Sequence, residues 1–278
     1  MRRPLAVGTP IDAKRMKRWT DRFGAYRSPV TRPTIEGWID LFDENDKDLA
    51  ARVLDVVEFY GQAQINAAYR QALGSLDGWH PTKARRKGKW CFAAMSGSAG
   101  ESGDSMLYQF RMANNLGGRR FRDLFVARRD LVSAKLGPED TVVLLDDFSG
   151  TGKQVCDAWS DPQTAFGELL AGVGRAFLVL VAATTRAKER ISEETTLHLI
   201  PSHQMNDSDN IFSNHCTHFT AHERNRLLHY CTVASEATPR GFGDCGLVVV
   251  FQHRTPNNTI PVLHAEHANW SGLFPRHD

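Results

Sequence analysis

The sequence predicts an α/β fold, with a parallel sheet flanked by helices and an N-terminal helical extension. Three observations carry this. Val142, Val143, Leu144 and Leu145 form an unbroken apolar run bounded by turn residues, as do the residues that follow Arg175, from Ala176 to Ala183, and such runs mark strands buried on both faces. Between and after these runs lie stretches with helical periodicity, so the order strand–helix–strand–helix–strand implies right-handed crossovers and a parallel sheet. The first 76 residues show helical spacing almost throughout.

Taken in order, residues 11–24 suit a short basic helix with Trp19 and Phe23 on one face. Pro29 and Pro33 break the chain, and Thr34 is placed to cap a helix in which Ile35, Trp38, Ile39 and Phe42 share a face. Asp46 and Asp48 begin a helix running through 49–60, Gly61 interrupts it, and another helix covers 62–73. The expected division is a helical extension over 1–76 and an α/β domain over 77–278. A strand follows at 89–95, then a Gly/Ser-rich loop at 96–103, then a helix capped by Ser105 and carrying Leu107, Tyr108 and Arg111. Beyond 141–154 come a helix over 155–170, the strand at 175–183, a helix at 185–192 capped by Thr184, and a strand at 196–200 ended by Pro201. A helix at 220–235 and a final strand at 246–251 lead to a Pro- and Asn-rich turn, with Trp270 and Phe274 clasping the domain surface.

Composition narrows the function classes. A chain of 278 residues with 41% hydrophobic and 24% charged residues is ordinary for a soluble globule of one large or two small domains. No apolar run approaches the roughly 20 residues of a membrane helix, and the start, MRRPLAVGTPID, is too short in apolar residues for a secretion signal. Cys91, Cys156, Cys216, Cys231 and Cys245 are odd in number and scattered. They fit reduced thiols and a cytoplasmic location.

The segment TVVLLDDFSGTGKQ, residues 141–154, carries the chemistry. A buried strand runs into Asp146 and Asp147, a turn of small residues follows, and Lys153 opens a helix. Ligands of parallel sheets sit at the carboxyl ends of strands. Small residues let backbone N–H groups approach a phosphate, and the helix start adds positive dipole. The two acids suit sugar hydroxyls or a metal-bound ligand instead, so the pattern describes a site for a phosphorylated sugar. A nucleoside-triphosphate P-loop needs glycine six residues before the lysine and a hydroxyl residue after it. Asp147 and Gln154 stand there.

This run resembles the 5-phosphoribosyl-1-pyrophosphate motif of type I phosphoribosyltransferases. The resemblance implies that Asp146 and Asp147 hold the ribose and act in catalysis, and that Ser149, Gly150, Thr151, Gly152 and Lys153 hold the 5-phosphate. Lys153 and Gln154 depart from the family's usual small and hydroxyl residues. The loop after the earlier strand, with Ser96, Gly97 and Ser98, corresponds to the family's pyrophosphate loop, and is equally readable as a linker. Arg128 and Arg129 fall where the family has a mobile hood and would neutralise pyrophosphate. The alternative is an amphipathic helix burying Phe121, Leu124, Phe125 and Leu131, with its arginines facing water. No protein-only metal site is expected; Mg2+ would arrive on the substrate's pyrophosphate. The tail TPNNTIPVLHAEHANWSGLFPRH, residues 255–277, together with the variant FSGTGK turn, resembles a divergent phosphoribosyltransferase-like family of prokaryotic conflict systems, including retron anti-phage cassettes. That implies a defence effector or accessory acting at the anomeric carbon of a phosphoribosyl or nucleotide ligand. A protein partner and nucleic acid of a defence complex are the further partners implied, and no membrane. The alternative is a non-catalytic module that senses a nucleotide or binds a partner.

Other clusters are weaker. His215, Cys216, His218, His222, His229 and Cys231 have zinc-type side chains without paired ligand spacing. Asp207, Asp209 and Asn210 read as a turn. Basic residues crowd the first 32 positions, the run KARRKGK at 83–89, and the segment 119–135. They suit solvated faces or contacts to nucleic-acid phosphate.

Overall fold

The computed structural model describes residues 11–95, 103–163 and 166–276. Its elements are α1 (Ala13–Phe23), α2 (Arg32–Ile39), α3 (Lys47–Val56), β1 (Glu58–Tyr60), α4 (Gln62–Ser75), β2 (Trp90–Ala94), α5 (Gly103–Ala113), β3 (Thr141–Ser149), α6 (Lys153–Ser160), α7 (Phe166–Ala171), β4 (Arg175–Thr184), α8 (Thr185–Glu194), β5 (His198–Met205), α9 (Ala221–Ala234), β6 (Val249–Phe251), β7 (Glu266–His267) and β8 (Trp270–Ser271). The chain divides into two compact units, one spanning Ala63–Met205 and the other joining the residues through Gln62 to those from Asn206 onward. These boundaries differ from the linear division at 76/77, because the chain returns to its beginning after the sheet is built.

The unit Ala63–Met205 contains the parallel sheet, in the order β2-β3-β4-β5. Val142, Val143, Leu144 and Leu145 are completely buried, as are Leu178, Val179, Leu180 and Val181 on β4. Each such side chain contributes about 1.5–3 kcal/mol by leaving water, which is why these two strands read as continuous apolar runs. Thr184 caps α8 as expected, its Oγ1 accepting from the Ala187 N–H at 3.0 Å.

Several expected boundaries move, each for a local reason. The strand at 196–200 does not stop at Pro201 but runs to Met205 as β5, an edge strand, where a missing N–H is tolerated. The helix expected over 155–170 is two helices, α6 and α7, parted around Pro162. Ser105 lies inside α5 and does not precede it. The amphipathic helix expected around Phe121 is instead a series of short 3-10 turns at Arg119–Leu124, Arg128–Asp130 and Val132–Ala134. Phe121, Leu124 and Leu131 are buried there as expected, and Phe125 bridges to Phe92 along the outer edge of β2.

The second unit is helical at its start but also holds a strand. The helix expected through 49–60 ends at Val56, and Glu58, Phe59 and Tyr60 pair in parallel with Val249, Val250 and Phe251. The strand expected at 246–251 thus begins at Val249 and belongs to this two-stranded sheet. Thr31, not Thr34, precedes α2; Thr34 completes a capping box by accepting from the Thr31 N–H at 2.8 Å. Trp19, Phe23 and Phe274 are completely buried, and the Phe274 ring meets Phe23 edge-on at 5.1 Å. The indole N–H groups of Trp38 and Trp270 both donate to the Val262 carbonyl, at 2.8 and 3.0 Å. The aromatic tail is core, not a surface clasp.

Candidate active site

Strand β3 is an interior strand, flanked by β2 and β4, and its carboxyl end carries the sequence-predicted acids. The strand runs four residues beyond Leu145, through Ser149, so Asp146 and Asp147 lie within it and not after it. Successive side chains of a strand leave on opposite faces, so the acids do not present a symmetric pair. Asp147 is fully buried and Asp146 is only 6% exposed. One Asp146 carboxylate oxygen accepts from the Asp147 N–H at 2.9 Å.

Tyr69 on α4 joins this end of the strand. Its hydroxyl donates to the Asp146 carbonyl at 3.2 Å. Burial raises its pKa well above the ordinary tyrosine value, and the charges of Asp147 and then Asp146 raise it further. The phenol therefore stays neutral. Sequence reasoning placed Tyr69 only within a helix; its spacing from Ile65 and Leu73 marks a core face and carries no sign of the acids beside it.

Ser149, Gly150, Thr151 and Gly152 form the turn and are buried. Gly152 adopts the left-handed conformation (φ 73°, ψ −11°) and caps α6. A Cβ there would stand 3.1 Å from the Ala187 carbonyl oxygen and 3.3 Å from Ile191 Cγ1, so glycine is required both by the torsion and by the approach of α8. The Thr184 hydroxyl donates to the Gly150 carbonyl at 2.6 Å while also capping α8. One threonine thus fixes the turn to the next helix. The Lys153 N–H donates to Thr151 Oγ1 at 3.4 Å. Its ammonium lies on Asp157 at 2.6 Å, with both side chains more than half exposed, and so turns along α6.

The two arginines separate. Arg128 is half-buried, its Nη1 donating to the Met95 carbonyl at 2.7 Å and its guanidinium 4.3 Å from the Phe166 ring. Met95 follows β2, and its N–H bonds the Leu145 carbonyl at 2.9 Å, so Arg128 stands at the end of β2, level with Leu145 of β3 and one residue before Asp146. Arg129 is 89% exposed beside Asp130. Ser96, Gly97 and Ser98 lie outside the described residues. Among the described residues no group of three or more His, Cys, Asp or Glu side chains is arranged to hold a metal ion. The five cysteines are free and buried. Burial pushes the Cys156 thiol up to about 11 and raises those of Cys91 and Cys231, so none of these three is primed as a nucleophile.

A parallel sheet whose interior strand carries two acids near its carboxyl end and runs into a left-handed glycine turn at a helix start is the arrangement expected of a phosphoribosyltransferase-like protein. The PRTase-CE family model matches residues 35–276, and the chain belongs to that family. No curated protein and no solved structure matches it. No helix among the described residues is long and apolar enough to cross a membrane.

Proposed function

We propose that the carboxyl end of β3 binds a phosphorylated ribose, 5-phosphoribosyl pyrophosphate or a nucleotide, and that the protein acts at its anomeric carbon. The observation that supports this most is the continuity of Asp146 and Asp147 with the buried turn from Ser149 to Gly152. Carboxylates accept from ribose hydroxyls, while backbone N–H groups at the turn and the start of α6 attract the 5-phosphate. Holding this unreactive phosphate orients the anomeric carbon and lowers the barrier entropically. The bond from that carbon to pyrophosphate breaks with the electron pair leaving on pyrophosphate, and a bond to the acceptor's nucleophilic atom forms through an oxocarbenium-like transition state. Arg128, at the end of β2, would offset the leaving group's charge.

Asp146 and Asp147 are hard oxygen donors, which fits a Mg2+ ion carried on substrate phosphates with water completing its shell. When bound, that ion would neutralise charge building on pyrophosphate. In keeping with the resemblance of the tail, the role we propose for this activity is anti-phage defence, with a protein or nucleic-acid partner.

A second reading, a nucleotide sensor without turnover, is favoured by the burial of both acids, since a sugar reaches them only if covering chain moves. Incubation with phosphoribosyl pyrophosphate and Mg2+, with and without nucleobases, separates the two: pyrophosphate release supports the enzyme, and calorimetric binding without release supports the sensor. Replacing both acids, Asp146→Asn with Asp147→Asn, abolishes binding while leaving the circular dichroism spectrum unchanged. Unaltered binding in that variant would remove the site from β3.

A further inference from the structure

The three basic clusters of the sequence do not share one fate. On α1 the charge is largely neutralised within its own unit: Arg15 and Arg18 both hold Asp55, and Lys17 holds Asp21 at 2.5 Å. The other two clusters lie in the unit Ala63–Met205 and are only partly neutralised, Lys87 by Glu139 at 2.5 Å and Arg129 by Asp130 at 3.8 Å. Residues 83–89 contain five cations and no acid, and residues 119–135 contain six cations and two acids, in a chain whose net charge is only +2. Lys83, Lys89, Arg119, Arg120, Arg122 and Lys135 are all exposed, and none forms an ion pair with a carboxylate among the described residues.

The fold brings these two segments together. Lys89 leads directly into β2, and its ammonium donates to the Ala134 carbonyl at 3.4 Å, one residue before Lys135. Residues 119–126 run to the outer edge of the same strand, where the Val126 N–H bonds the Phe92 carbonyl at 3.0 Å. The result is one positive border along β2. The Arg120 guanidinium lies over the Phe121 ring at 4.6 Å, holding its plane in place at the surface.

Apolar surface adjoins this border. Tyr108 is 63% exposed and Met112 51% exposed, one turn apart on α5. The Met112 sulfur lies 3.8 Å from where a Cβ on Gly117 would stand, two residues before Arg119. An open aromatic ring one helical turn from Met112, which reaches the chain just before Arg119, together with unpaired guanidinium groups, is a combination that stacks a base while phosphates are neutralised. The basic residues sit on loops and 3-10 turns, with no helix presenting them to a duplex groove. From these features we infer that the β2 border, with Tyr108, binds single-stranded nucleic acid without sequence preference. This surface is separate from the ribose reading and does not rest on it.

Fluorescence anisotropy of the full chain with a labelled single-stranded oligonucleotide of mixed sequence tests it across a salt series. Binding at low salt should weaken steeply as salt rises. The triple variant Arg119→Glu, Arg120→Glu, Arg122→Glu should flatten the log–log salt slope by about 2, at roughly 0.7 for each lost phosphate contact. Tyr108→Ala should weaken binding roughly tenfold at unchanged slope, the signature of a lost stacking partner. Lys14→Glu with Lys17→Glu on α1 should leave binding intact. All the replaced side chains are exposed, and circular dichroism confirms that each variant is folded. The inference is overturned by no binding at low salt, by capture of phosphatidylserine vesicles without the oligonucleotide, by a triple variant that keeps the parent slope, or by equal losses from the α1 variant. Retained phosphoribosyl pyrophosphate binding in the triple variant separates this surface from the β3 site.

Discussion

Between Ala63 and Met205 the chain builds its sheet around the apolar strands β3 and β4, and β3, β4 and β5 follow one another through helical crossovers. The other unit is joined over far greater separations: Gln62 and Gln252, 190 positions apart, exchange hydrogen bonds next to the pairing of β1 with β6. One region is held chiefly by apolar burial of contiguous elements. The other also buries a core, but one gathered from distant segments, Trp19, Phe23, Val250 and Phe274 among them, and it adds polar contacts that fix those segments, such as the Asp55 carboxylate, which takes hydrogen bonds from Arg15, Arg18 and Trp19. Both cores spread stability over many side chains, but the second is complete only while segments far apart in sequence stay docked together.

The sharpest test of that difference is Asp55→Ala. It removes the hydrogen bonds of the buried Arg15 guanidinium and of the Trp19 N–H to this carboxylate, leaving Asp48 at 3.8 Å from Arg15, and should cost about 3 kcal/mol, read from the denaturant midpoint. A loss below about 1 kcal/mol would show that α1 is held by its apolar face alone. A smaller effect is expected from Gly152→Ala in the sheet unit. The left-handed torsion costs about 1–2 kcal/mol for a residue with a Cβ, and the approach of Ala187 sets the same direction. Chemical denaturation checks it, and a neutral result would mean that the turn relaxes. The third effect is absent at neutral pH. Tyr69 has a folded pKa above its ordinary value of 10.0, so the neutral phenol's stabilisation is complete below that value. It is lost as pH rises, because the unfolded chain releases the proton first. The loss is at most about 1.4 kcal/mol per pH unit for one group. Tyr69→Phe should flatten the alkaline fall in melting temperature, and an unchanged profile would mean that the hydroxyl is not sealed in.

The same contrast explains what could be read from the sequence. β3 and β4 announce themselves because both faces of each are buried, and Thr184 marks a helix start through local capping; the cap at Thr220, read as the helix's first residue, shows only in the structure. Glu58, Phe59 and Tyr60 continue a helical pattern in sequence and become a strand only because Val249, Val250 and Phe251 arrive to pair with them. No local signal carries that arrival. At the site, the acids and the glycine turn follow from sequence order. Tyr69 and the separation of Arg128 from Arg129 are set by packing between elements, and the extension of β3 through Ser149 is set by its pairing with Ala182 and Ala183.

Pro201 has a consequence for how the molecule behaves in a crowd. A proline midway along β5, at one margin of the sheet, removes a hydrogen-bond donor from the row that a stray strand would need for docking. At the opposite margin Phe125 and Val126 already occupy the flank of β2. With neither side offering a complete template, the sheet resists growth by recruiting extended segments from other chains.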